Sequence, residues 1–225
     1  MHRALVLFDI DGTLVRRAGP HHRAALVHGI RRIIGIETTT EGIPVQGMLD
    51  PDILTVMMRA AGVRRESIRR AMPEILKAAE RYYLRVCPVL HDKHCPGVVP
   101  LLERLTRRGL LLGLVTGNLT RIGWRKLERA GLRGYFRFGA FGEMASNRAG
   151  LTKLAIREAR AHGWIERGAT VSLIGDAPQD IQAARANRIR AISVKTGITP
   201  VVELEVLQPD VLLRDLRELR LRMVE

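Results

Sequence analysis

The chain has 225 residues, 46% of them apolar, and a formal net charge of +14. That length supports one domain with a full core, or a core with an inserted subdomain. Its apolar runs are far too short to span a membrane. Asp9 and Asp11 interrupt the first run too early for a signal peptide, so a cytoplasmic protein is expected.

The positive charge comes from 32 Arg and only 5 Lys. The basic residues are scattered over most predicted helices, and aromatics make up only 4% of the chain. A dedicated nucleic-acid surface would concentrate its basic residues and interleave stacking aromatics. A generally basic surface is the better reading, and it still attracts phosphorylated substrates.

Residues 4–14 read ALVLFDIDGTL. The apolar run Ala4–Phe8 reads as a buried parallel strand. It must end at Asp9-Ile10-Asp11-Gly12, because Asp and Gly are poor strand residues. Residues 16–95 carry no convincing strand. Ala24, Ala25, Leu26, Ile30, Ile33 and Ile34 give a first helical face. Gly35, Gly42, Pro44 and Gly47 mark a loop, and Asp50-Pro51 reads as a helix cap followed by proline. A third helix runs from about Arg65 to Arg85, with a break or kink expected at Pro73. This block predicts a helical insertion, with residues 1–15 and 96–225 forming the α/β core. Cys87 and Cys95 lack metal-site spacing and read as free thiols, a bridge between them being left open.

Beyond Pro96-Gly97 the pattern alternates. A helix ends at Gly109, and strand Leu110–Val115 stops at Thr116-Gly117-Asn118. A helix then closes at Gly131. A short strand at Phe136–Phe141, a helix at Leu151–His162 and a strand at Ala169–Ile174 follow, the last stopping at Gly175-Asp176. Helix Asp180–Ala186 and strands Arg190–Val194 and Val211–Leu213 complete the series. Such alternation predicts a doubly wound parallel sheet of Rossmann-like type, with helices on both faces.

Three strand ends therefore carry polar residues, and in a parallel sheet they face one edge. Asp9, Asp11 and Asp176 offer hard oxygens suited to Mg²⁺. Asp180, four residues after Asp176, can face the same side, or can simply stabilise a helix N-terminus. The Thr116 hydroxyl and the backbone N–H groups of Gly117 and Asn118 suit an anion such as phosphate. Gly117 would let the backbone approach closely.

Together D-I-D-G-T-L, L-V-T-G-N and G-D-x-x-x-D resemble the haloacid dehalogenase-like hydrolase superfamily. The likeness extends to its phosphoglycolate-phosphatase-like branch, with a helical cap inserted after the first strand. The resemblance implies a Mg²⁺-dependent phosphatase acting through an aspartyl-phosphate. Asp9 would be the nucleophile, Asp11 the acid–base group, and Thr116 a phosphoryl ligand. Mg²⁺ would sit on Asp176, the Asp9 carboxylate and the Asp11 backbone carbonyl, with Asp180 supporting. The superfamily's lysine, often followed by proline, has no direct counterpart. Arg148, in N-R-A-G-L, is the preferred cation and Lys153 the alternative; a guanidinium can bridge Asp9 and phosphate bidentately.

Asp11 argues against dehalogenation, since halide needs no proton. A phosphomutase of the same superfamily stays open, as does the charge-based alternative of a nucleic-acid-binding protein or polynucleotide end-phosphatase. The expected substrate is a small phosphorylated metabolite, phosphoglycolate-like or a sugar phosphate. His21, His22, Arg23 and Asp50 are the insertion's candidates for substrate selection, each with a plain surface or structural role as the alternative.

Overall fold

A computed structural model describes residues 1–16 and 20–225. Six parallel strands form one sheet in the order β3-β2-β1-β4-β5-β6. They are β1 (His2–Phe8), β2 (Leu111–Val115), β3 (Phe138–Ala140), β4 (Ile165–Gly175), β5 (Arg190–Val194) and β6 (Val211–Leu213). The helices are α1 (His21–Ile34), α2 (Asp50–Ala60), α3 (Arg65–Val86), α4 (Val98–Arg107), α5 (Thr120–Arg129), α6 (Arg148–Ala161), α7 (Pro178–Ala186) and α8 (Val201–Val206).

The alternation of β1 explains the two layers. Val6 and Phe8 join a core with Leu101, Leu105 and Ile122 from α4 and α5. Leu5 and Leu7 join a second core with Leu151, Ala155 and Ile181 from α6 and α7. Successive strand side chains point to opposite faces, so an unbroken apolar run is required when both faces are covered. The first core continues into the helical insertion through Leu26, Ile30, Leu54, Met57 and Tyr83.

Strand order reverses beside β1, where β2 lies on one side and β4 on the other. Ligands of open α/β sheets bind at the carboxyl ends next to such a switch point. Asp9 follows β1 and Asp176 follows β4, so both stand at that crevice.

The chain leaves and rejoins the sheet unit at adjoining places. The Arg16 N–H donates to the Lys93 carbonyl at 2.8 Å, and the Cys95 N–H to the Leu14 carbonyl at 3.0 Å. Cys87 and Cys95 are both buried free thiols.

Four details differ from the pattern-based reading. Of the break or kink expected at Pro73, the break does not occur: helix α3 continues through it, because α1 packs along it and tertiary packing overrides the local cost. Strand β3 is confined to 138–140, the stretch that pairs with β2. Strand β4 starts at Ile165, through a segment whose exposed charged residues hid the strand pattern. Helix α8 is a further short element, with Val202 and Val206 exposed.

Candidate active site

A cavity of about 650 Å³ lies at the carboxyl ends of β1, β2 and β4, between the sheet and the helical insertion. Its walls include Asp9, Asp11, Thr116, Asn118, Arg148 and Asp176 from the sheet unit. His22, Arg23, Gln46 and Asp50 line it from the insertion.

On one side stand three buried carboxylates. Asp9, Asp176 and Asp180 each offer an oxygen, and these oxygens lie within 4.8 Å of one another. Arg148, the first residue of α6, reaches into the group. Its Nη1 donates to Asp9 Oδ1 at 3.1 Å and to the Val115 carbonyl at 3.1 Å. Its Nε stands 3.3 Å from Asp180 Oδ1. Burial alone would lower the Arg148 pKa, but Asp180 and Asp9 raise it, so the guanidinium stays charged.

Burial pushes the Asp176 carboxyl well above its usual range, and Asp9 and Asp180 push it further. Burial also raises Asp180, to about 7, even though Arg148 pulls the other way. Three carboxylates against one guanidinium leave a site that asks for further positive charge.

The donor set fits a hard divalent cation. It presents only carboxylate oxygens, and Asp180 Oδ1 is buried without a hydrogen bond. Gly12 and Gly197 cradle Asp176, where an added Cβ at either would collide with its carboxylate. Thr13 Oγ1 donates to Asp176 Oδ1 at 3.2 Å, and Gln46 Nε2 to its Oδ2 at 2.5 Å.

The other side of the cavity is built differently. The Asp11 side chain does not join the carboxylate cluster. Lys126 Nζ donates to its two oxygens at 2.7 and 2.6 Å, and Asn118 Nδ2 to Oδ2 at 2.7 Å. Burial works against the Asp11 anion, but Lys126 and these hydrogen bonds outweigh it and hold the pKa below the ordinary value.

The phosphate-binding candidates divide. Thr116 is fully buried at the end of β2 and lines the cavity. Its Oγ1 accepts from Asn118 Nδ2 at 2.8 Å, so Asn118 serves Thr116 and Asp11 together. Gly117 is needed for a close approach, but by the insertion's backbone: a Cβ there would strike the Met48 carbonyl. The Asp50 N–H also donates to the Gly117 carbonyl at 2.8 Å.

Asp50 does not cap α2. Its Oδ2 accepts from the Leu119 N–H at 2.8 Å and lies 2.9 Å from His22 Nε2, tying the insertion to the sheet unit. Those partners use the carboxylate that would otherwise satisfy its own helix terminus. Arg23 is exposed and lines the cavity, whereas Lys153 is exposed on α6 and is not among the residues that line it.

Lys126 was missed in the pattern reading although a signal was present. Helix α5 buries Ile122, Gly123, Lys126 and Leu127, so Lys126 falls on the apolar stripe. In a chain that uses Arg for most cations, a lysine on that stripe marks a site where a compact ammonium is required. Gln46 lies in a Gly/Pro-marked loop with no periodicity, and no comparable signal singles it out.

A family model described as haloacid dehalogenase-like hydrolase matches residues 4–187. The chain is 28% identical to a phosphoglycolate phosphatase of Agrobacterium fabrum over 219 residues, 94% of this chain and 88% of that one. It is 35% identical over 119 residues to a phosphoglycolate phosphatase of Synechococcus elongatus, 52% of this chain. That second match spans about half of the relative's length, 53%.

Among solved structures, a β-phosphoglucomutase from Clostridium difficile shares the fold with a TM-score of 0.71 and 17% identity, covering 99% of this chain and 95% of that one. A predicted phosphoglycolate phosphatase from Haemophilus somnus gives 0.68 and 17% identity, covering 96% and 95%. No helix among the described residues is long and apolar enough to cross a membrane. With strands β2 to β4 and helices α1 to α7 wholly inside the matched region, the chain belongs to the haloacid dehalogenase-like hydrolase family.

Proposed function

We propose that this chain is a Mg²⁺-dependent phosphatase of a small phosphorylated metabolite, phosphoglycolate-like or a sugar phosphate. One observation carries the reading above the others: Asp9, paired with Arg148, shares a cavity with Asp176 and Asp11. Phosphoglycolate phosphatase relatives support the substrate class.

The reaction uses Asp9 as nucleophile. One of its oxygens attacks phosphorus, the P–O bond to the leaving group breaks, and an aspartyl-phosphate forms. Asp11, ionised beside Lys126 in the free protein, takes up a proton from solvent as the phosphate dianion enters and passes it to the leaving oxygen. Water then attacks phosphorus while Asp11 takes up the water's proton, the P–O bond to Asp9 breaks, and inorganic phosphate leaves. Arg148 and the Thr116 hydroxyl offset charge on the phosphoryl oxygens. Asp9, Asp176 and the Asp11 backbone carbonyl would hold Mg²⁺, with Asp180 in support. When bound, that ion supplies charge neutralisation and Lewis acidity.

Residues 16–95 act as a cap over a core of residues 1–15 and 96–225. The paired linkers at Arg16 and Lys93–Cys95 give the cap one place about which to turn. A closed cap excludes bulk water and favours small substrates. Arg23 is the cap residue free to meet the leaving group, while Asp50 acts as a structural tie.

The test is a phosphate-release screen over many phosphometabolites, 2-phosphoglycolate and sugar phosphates included, with and without Mg²⁺. Turnover that needs Mg²⁺ and vanishes in Asp9→Asn is expected. Absence of turnover on every substrate would reject the reading.

A further inference from the structure

Lys126 is one of the largest fully buried side chains in the protein, with its side chain only 1% exposed. An ammonium has three N–H donors and accepts nothing. All three are committed here: to the Asp11 carboxylate at 2.6 and 2.7 Å, to Asn118 Oδ1 at 2.6 Å, and to His22 Nδ1 at 3.1 Å. The partners of His22 assign its tautomer. Nε2–H faces Asp50 Oδ2 at 2.9 Å, which leaves the Nδ1 lone pair for Lys126.

A lysine so occupied has no N–H left for a substrate anion. Its charge is spent inside the protein, on a carboxylate that lines the cavity. Two of its partners, Asp11 and Asn118, belong to the sheet unit, and the third, His22, belongs to α1 of the insertion. His22 in turn rests on Asp50, which the Leu119 N–H anchors. The chain Asp11–Lys126–His22–Asp50 therefore crosses from the site to the insertion and returns to the sheet unit.

We propose that Lys126 is a positioning residue for Asp11, and that His22 makes this positioning depend on the docked insertion. Lys126 fixes the rotamer of Asp11 so that one carboxylate oxygen faces the leaving group. When the insertion lifts, Lys126 loses its third acceptor and Asp11 loses its fixed direction. This rests on the reading of Asp11 as the acid–base group.

A double-mutant cycle of Lys126→Met and Asp11→Asn on 4-nitrophenyl phosphate tests it. General acid–base catalysis is worth about 10²–10⁴-fold, so Lys126→Met should lower kcat about 10²-fold and leave KM within about threefold. In the Asp11→Asn background the same change should cost less than about threefold, because residues acting as a unit are not additive. Losses that multiply would overturn the proposal, since a substrate ligand or a purely structural lysine acts independently of Asp11. If Lys126→Met does not fold, His22→Ala takes its place in the cycle, with a loss of about tenfold that must also vanish beside Asp11→Asn.

A second measurement does not need turnover. The Lys126 ammonium should give a slowly exchanging ¹H–¹⁵N signal, and Asp11→Asn should speed its exchange at least about tenfold, the loss of a charge-assisted bond. An unchanged exchange rate would overturn the proposal. If the wild type hydrolyses no phosphoester, the phosphatase reading fails, and this signal alone decides whether Lys126 and Asp11 act together.

Discussion

Two cation–carboxylate pairs line one cavity, and they are built differently. Arg148 donates to Asp9 at 3.1 Å, while its Nε, 3.3 Å from Asp180, makes no hydrogen bond. Lys126 meets Asp11 at 2.6 Å with every donor used. The first pair leaves unspent hydrogen-bonding capacity beside three crowded carboxylates, which suits a site that must accept an anion and a cation. The second pair is closed on itself, which suits a group that must be aimed. The contrast separates a cation that binds from a cation that positions.

The largest expected effect breaks the Arg148 side. Asp9→Asn should lower phosphate release by about 10⁴-fold or more, as removal of a covalent nucleophile does. Arg148→Ala comes next, with a loss of about 10²–10³-fold in kcat, the scale of losing one donor to the transferring group. Lys153→Ala should stay within about twofold, as surface changes away from a site do. Steady-state kinetics on the best substrate of the screen reads all three. Normal turnover in Arg148→Ala with loss in Lys153→Ala would reverse the assignment.

The acid cluster gives a smaller effect with a defined sign. Burial raises Asp180 to about 7 from an ordinary carboxylate value. The folded state then binds a proton that the unfolded state has already released. Asp180 therefore costs no stability below about pH 4, and its cost grows as pH rises toward about 7. Thermal melts without divalent ions should show wild type losing more stability than Asp180→Asn between those pH values, by about 3 °C or more. Adding Mg²⁺ at neutral pH should restore it, since a ligand that binds only the folded state stabilises it. Parallel melting curves for the two proteins would contradict the buried-acid account. Among the residues that line the cavity the smallest effect belongs to Arg23→Ala, an exposed cation on its wall: a rise in KM of about fivefold or less, with kcat unchanged.

Much of this arrangement is legible in the residue pattern, for a physical reason. Parallel strands buried on both faces are continuous apolar runs, and polar residues just after them must lie at one edge. That logic places Asp9, Thr116 and Asp176 at one sheet edge, where they line one cavity. Arg148 is legible only through the family resemblance, since the helix pattern begins at Leu151, three residues after the first residue of α6. What stays hidden is side-chain direction. Asp11 and Asp9 are two residues apart in sequence, yet one faces Lys126 and the other the acid cluster. Asp50 looks like a helix cap, but its partners are His22 and Leu119, distant in sequence. Gly117 looks like a phosphate-loop glycine, while the backbone that needs its missing Cβ is that of Met48. Each of these depends on how the insertion docks, which no local periodicity encodes.

The central claim, that Asp9 accepts the phosphoryl group, is open to one direct measurement. Acid-quenched Asp11→Asn, mixed with substrate and Mg²⁺, should carry one phosphoryl group on the peptide containing Asp9. The label should be absent when Asp9 is also changed to Asn. A label on any other residue, or undiminished turnover in Asp9→Asn, would contradict the account.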